Sequence, residues 1–120
     1  MSEYNELIDK YFASLNETDG ERRRDLIEQV WAENGKFVSP FGVAVGHDAI
    51  DAKVEKGLEQ LAGGEVRRAG DIETLHDCLR LKFEVVSKAG EAFIGGVDFG
   101  TIADGKLQSM AGFFDYAPTV

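Results

Sequence analysis

The sequence predicts an α+β fold, because helices and strands segregate along the chain instead of alternating. Three segments in the first half carry apolar residues at helical spacing. From Thr74 to Asp115 the period changes to two, with Lys88-Ala89-Gly90 and Asp104-Gly105 as turn signals. The expected order is helix, helix, short hairpin, helix, then a long antiparallel sheet.

Residues 3 to 16 place Tyr4, Leu7, Ile8, Tyr11, Phe12 and Leu15 on one helix face, with Ser2 as the N-cap. Asn16 to Gly20 breaks this helix, and Thr18 with Glu21 forms a capping-box pattern for the next. Leu26, Ile27, Val30 and Trp31 form the second buried face. Arg22, Arg23 and Arg24 read as a solvated face balanced by Glu17, Asp19, Glu21 and Asp25. Glu33-Asn34-Gly35 stops the helix, and Lys36 to Ser39 is a short strand that Pro40 confines to an edge. Phe41 to Gly46 returns to pair with it. Asp48 or His47 caps a third helix reaching Leu61, with Ile50, Val54, Leu58 and Leu61 as its stripe, and Gly63-Gly64 ends it. Glu65 to Asp71 is a polar strand leading into three long ones, Thr74 to Ser87, Glu91 to Ala103 and Leu107 to Asp115.

With 120 residues the chain is expected to form one domain, residues 1–120, that buries a core without metal or disulfide staples. Cys78 is the one cysteine, which fits a reducing compartment and a buried structural thiol. No signal-peptide pattern or spanning segment is visible, so a cytoplasmic location is expected. A formal charge of -9, from 13 basic and 22 acidic residues, opposes binding to nucleic acid or an anionic membrane. The two histidines, His47 and His76, are not set in a metal-ligand pattern; no metal and no cofactor are expected.

Asp98 is the anchor for function, a carboxylate among Ile94, Val97, Phe99 and Ile102. Facing an apolar interior, it would have a raised pKa and act as a neutral hydrogen-bond donor or general acid. Strict alternation groups it with Ile94 and Ile102 against the bulkier Phe93, Val97 and Phe99, so an outward-facing Asp98 is the competing reading, and a bulge at Gly95-Gly96 would change the register. Tyr11 sits in the first helix's apolar stripe, either as core or as a ligand-binding hydroxyl; the two readings merge if Asp98 is its partner. His76 and Asp77 are adjacent on the expected strand, so one of them faces inward, and either is a candidate base. Trp31, Phe37, Phe83 and Phe113 supply aromatic wall for a pocket, with Ser39 near its mouth.

Several stretches, in order, resemble the nuclear transport factor 2-like superfamily, in its polyketide-cyclase-like and ketosteroid-isomerase-like branches. They are Tyr11 to Asp19, Trp31-Ala32-Glu33-Asn34-Gly35, Ser39-Pro40-Phe41-Gly42, Gly46-His47-Asp48-Ala49-Ile50, His76-Asp77, Gly96-Val97-Asp98, Asp104-Gly105-Lys106 and Gly112-Phe113-Phe114-Asp115. The resemblance implies a cone-shaped, cystatin-like roll in which helices pack on a curved, mostly antiparallel sheet around an apolar pocket. It implies homodimers through the outer sheet face. Tyr11 and Asp98 match the positions of two donors to an enolate oxygen in the isomerases. Their base is the Asp of an Asp-Pro-x-Gly sequence, where this chain has Ser39-Pro40-Phe41-Gly42. Steroid-type isomerisation by that route is therefore not expected. Neither is the carboxylate-arginine chemistry of the superfamily's epoxide hydrolases, since Met110-Ala111-Gly112-Phe113 lacks the required acid. The expected function is binding of a small apolar ligand bearing a carbonyl or hydroxyl, with metal-free acid/base chemistry of isomerase, cyclase or dehydratase type. The alternative is a non-catalytic dimeric interaction module with a vestigial pocket.

Overall fold

The computed structural model describes residues 4–61 and 63–116. Its elements are α1 (Asn5–Asn16), α2 (Gly20–Val30), β1 (Trp31–Ser39), β2 (Gly42–Val45), α3 (His47–Leu61), β3 (Glu65–Arg68), β4 (Glu73–Leu75), β5 (Cys78–Val86), β6 (Ala92–Ala103) and β7 (Lys106–Tyr116). The strands form one sheet in the order β2-β1-β7-β6-β5-β3, with β4 also on β5; β1 and β7 run parallel and the other pairs antiparallel. This is the α+β order that the periodicity predicts, with the mostly antiparallel sheet that the resemblance implies.

The core lies between the helices and the inner sheet face, where Ile8, Tyr11, Ile27, Trp31, Ile50, Leu81, Leu107 and Met110 are almost fully buried. Asn16 closes one corner. Its side-chain amide donates to Val66 O at 2.7 Å and accepts from Val66 N at 2.8 Å, so it pairs with the edge strand β3 as a strand would and pins the end of α1 there.

Several local expectations are corrected. Asp19, not Thr18, caps α2, its carboxylate accepting from the amides of Glu21 and Arg22. Arg23 is not part of a solvated face. It is 4% exposed and its guanidinium donates to Asp51 at 2.6 Å, Glu55 at 3.0 Å and the carbonyl of Glu17 at 3.1 Å, which clamps α2 to α3. Trp31 starts β1 instead of ending α2, and Glu33-Asn34-Gly35 lies within that strand, because a register shift against β7 absorbs the extra residues. Neither His47 nor Asp48 precedes α3: the helix includes both, and Asp48 pairs with Arg24. The expected cap at Ser2 lies outside the described residues. The long strand from Thr74 to Ser87 is two strands, because the chain turns at His76 and Asp77, with His76 at a φ of 56°. Cys78 is half-buried, not a core thiol, with its Sγ 3.6 Å from an Asp77 carboxylate oxygen.

Candidate functional site

Asp98 occupies the middle of β6, whose inner face reads Gly96, Asp98, Gly100, Ile102. The two glycines exist for space. A Cβ at Gly96 would meet the carbonyl oxygen of Phe113 at 2.0 Å, and one at Gly100 would meet that of Ser109 at 2.7 Å. Nothing larger fits on either side of the carboxylate. The outward-facing reading of Asp98 is overturned, since Asp98 is 4% exposed whereas Phe99 is 47% exposed on the outer face. A register shift does fall between Gly95 and Gly96, in the pairing with β7, where the extra residue is Asp115 on β7. In the pairing with β5 the extra β6 residue is Phe93, which is why Phe93 and Ile94 both reach the interior despite being neighbours.

The Tyr11 hydroxyl donates to Asp98 Oδ2 at 3.2 Å. Helix α1 holds that phenol by edge-on packing of its ring against Phe12, Trp31 and Phe37. Burial pushes the Asp98 carboxyl up to about 7, partly opposed by the hydrogen bond from Tyr11. Burial, followed by the negative charge and hydrogen bond of Asp98, pushes the Tyr11 phenol well above its usual value. Tyr11 therefore stays a donor, while Asp98 changes charge near neutrality. Among the described residues no hydrogen bond reaches Asp98 Oδ1, which leaves that oxygen to a ligand.

The pair lines a cavity of about 650 Å³, within the range of small-molecule sites. Its walls are largely apolar, with Phe37, Phe41, Phe83, Phe93 and Phe114 the aromatic members besides Tyr11. Ser39 lines it from the end of β1; from α3 come Lys53, Lys56, Gly57 and Gln60, at i, i+3, i+4 and i+7. The Ser39 hydroxyl accepts from Lys53 Nζ at 2.7 Å and from the amide of Phe41 at 3.3 Å. A second depression, of about 570 Å³ beside β3 and β5, includes Glu73 and Arg80, already paired with each other at 2.7 Å.

Of the candidates in the sequence, Asp98, Tyr11, Phe37, Ser39 and Phe83 come together around the cavity. Four do not. His76 and Asp77 are exposed in the turn between β4 and β5, so neither has access to the interior and neither can serve Asp98 as a base. Trp31 is 1% exposed and packs behind Tyr11 and Phe37, outside the wall. Phe113 is 63% exposed, because its partner in register is the outward Val97; Phe114, opposite Gly96, takes its place inside. The sequence pattern does not single out Lys53 or Phe93 as wall residues. The available signal for Lys53 was its position one residue before Val54 in the α3 stripe, at the margin of the buried face.

No family model matches the chain, and no curated protein gives a significant match. Solved structures do. A candidate isomerase of the SnoaL-like family from Agrobacterium tumefaciens is 30% identical over 96% of this chain and 99% of its own, with a TM-score of 0.90. A nuclear transport factor 2-like protein of unknown function from an Exiguobacterium species is 25% identical over 91% and 98%, with a TM-score of 0.70. A hypothetical protein with a ketosteroid isomerase-like fold from Catenulispora acidiphila, solved with trimethylamine, shares the fold at 13% identity, over 94% and 86%, with a TM-score of 0.73. On the first of these likenesses the chain belongs to the SnoaL-like family, within the nuclear transport factor 2-like superfamily.

Proposed function

We propose that the protein is a cofactor-independent acid/base enzyme of isomerase or cyclase type, acting on a compact, largely apolar compound that carries a carbonyl. The observation that carries this is the Tyr11–Asp98 pair, sunk in an apolar cavity with the Asp98 carboxyl at about 7. A group that titrates near the working pH is present in both states, so it can take a proton and give it back. With Ser39 in place of a second carboxylate and His76 and Asp77 in a remote turn, one carboxyl does both jobs. Ionised Asp98 removes a proton next to the substrate carbonyl. Protonated Asp98 returns it to a second carbon, and the Tyr11 hydroxyl fixes the carboxyl between the two steps. The isomerase label of the Agrobacterium relative supports this class of chemistry.

The test is exchange of carbonyl-adjacent protons of small cyclic ketones in heavy water, followed by NMR. Catalysed exchange should rise with pH through a midpoint near 7 and vanish in Asp98→Asn. Exchange that persists in a folded Asp98→Asn variant overturns the reading.

The alternative, an interaction module, is favoured by the outer sheet face, where Phe99 and Phe113 lie exposed at 47% and 63% with Ala111 and Val97 as their respective partners in register. A second copy of the chain fits this face and is compatible with catalysis. Phe113→Arg should then lower the mass found by sedimentation without changing ligand binding.

A further inference from the structure

The Tyr11–Asp98 pair accounts for one polar feature of the cavity and leaves Lys53 without a role. Lys53 is half-buried, its ammonium 5.3 Å from the centre of the Phe37 ring, and it donates to Ser39 Oγ at 2.7 Å and to the carbonyl of Gly42 at 3.3 Å. Both acceptors are neutral. Lys10, Arg23, Arg24, Arg67 and Arg80 each reach a carboxylate; the other lysines and arginines reach none among the described residues, and of these Lys53 alone is not exposed. The acids nearest it on α3, Asp51 and Glu55, are held toward α2 by Arg23. A partly desolvated ammonium with a hydrogen to spare and no counter-ion is costly unless an anion completes it.

The charge around the cavity agrees. The chain as a whole carries -9, yet the charged residues lining the cavity are Lys53, Lys56 and the single acid Asp98. Whenever Asp98 is protonated, the cavity is purely cationic. Its polar groups then define two poles: a hydroxyl and carboxyl in the depth, and an ammonium braced by a serine hydroxyl where β1 faces α3. Aromatic rings line the space between them.

We propose that Lys53, positioned by Ser39, is the counter-ion for a carboxylate on the ligand, so that the substrate is an apolar, ring-sized carboxylic acid with a carbonyl or hydroxyl oxygen at its far end. This rests on the ligand-binding reading of the same cavity and adds the chemical class of its occupant. Ser39, at the position where the isomerases place their base, takes part in binding instead of proton transfer.

The test uses a matched pair of probes: naphthol, and a hydroxynaphthoate with its hydroxyl and carboxylate at opposite ends. Binding is followed by calorimetry on the wild type, Lys53→Met, Lys53→Arg and Asp98→Asn, with thermal melts confirming that each variant folds. A charge-assisted contact should make the wild type prefer the hydroxynaphthoate by about tenfold or more. Lys53→Met should abolish the preference and leave naphthol affinity within about twofold, and Lys53→Arg should keep most of it. A preference that survives Lys53→Met, or an equal loss for both probes, overturns the proposal. So does a wild type that binds neither, which removes the cavity as a ligand site altogether. If Asp98→Asn leaves both affinities unchanged while the preference still depends on Lys53, the acid/base reading falls and the carboxylate site stands.

Discussion

Asp98 and Lys53 line the same cavity, but one is held where nothing can move and the other beside open space. Around Asp98 the close packing extends to β7, where a Cβ added at Gly112 would lie 3.0 Å from Asp98 Oδ1. On α3, a Cβ added at Gly57 would meet nothing within 4 Å. Asp98 has one hydrogen-bond donor and no freedom; Lys53 has a flexible stem and a serine brace. The difference separates two tasks. Proton transfer needs atoms fixed within a fraction of an ångström, whereas recognising the far end of a ligand tolerates slack.

The sharpest way to break this contrast is through pH. An Asp in water titrates at about 3.9, and burial pushes the Asp98 carboxyl up to about 7, so the folded state holds the proton more tightly. The sign follows from linkage: the stabilising contribution is complete below the unfolded pKa and is lost as pH rises through the folded one. Over that window, from about pH 4 to pH 7, the loss is roughly 4 kcal/mol. Asparagine does not titrate. In urea denaturation the wild type should therefore lose stability relative to Asp98→Asn by this order of magnitude across the window. A constant difference would mean that Asp98 is solvated and that the inner pole is no tighter than the outer.

Next in size is Gly112→Ala. Besides Asp98 Oδ1, the new methyl group would meet Val38 O at 3.9 Å and Phe83 Cε1 at 4.0 Å. Overpacking of this kind costs about 1–3 kcal/mol. The melting temperature should fall, and phenol binding should weaken because the carboxyl is displaced. A variant as stable as the wild type would show that β7 gives way easily.

Tyr11→Phe should cost about 1–2 kcal/mol above about pH 8, where the Asp98 carboxylate loses its donor. The loss should shrink at about pH 5, where the carboxyl is neutral and needs the donor less. The titration midpoint of Asp98, read by NMR of the carboxyl carbon, should rise, because the Tyr11 hydrogen bond holds it down. A midpoint that falls instead would assign Tyr11 another role.

The inner pole was largely legible in the sequence and the outer pole was not, for physical reasons. Alternation correctly grouped Asp98 with Ile94 and Ile102, but parity alone does not say which face is core. Gly96 and Gly100 mark it, since a Cβ at either would run into a backbone carbonyl of β7, that of Phe113 or of Ser109. Phe113 and Phe114 are adjacent and chemically alike; only the register with Val97 and Gly96 separates outside from inside. The turn at His76 carries no glycine or proline to announce it, so the sequence reads as one continuous strand with two candidate bases on it. Amphipathic spacing finds the stripe of α3 formed by Ile50, Val54 and Leu58. It cannot tell a face that looks into a cavity from one that looks into solvent, and Lys53, Lys56 and Gln60 suit either.

Gly57 offers the smallest expected effect and the cleanest measure of slack at the outer pole. It lies inside α3, where glycine costs about 1 kcal/mol relative to alanine because it gives up more backbone freedom on folding. With no atom beyond its chain neighbours and the helix's own backbone within 4 Å of the added Cβ, Gly57→Ala has no steric term to offset that gain. Stability should rise by about 1 kcal/mol, and naphthol affinity at the inner pole should stay within about twofold. Gly57→Leu should fold comparably but project into the cavity, lowering affinity for the longer hydroxynaphthoate more than for naphthol. That pattern would explain a glycine in the middle of a helix as the means of keeping the rim open beside Lys53. If Gly57→Ala is instead destabilising, neighbouring side chains fill the rim in solution. Lys53 would then be as tightly packed as Asp98, and the contrast between the two poles would disappear.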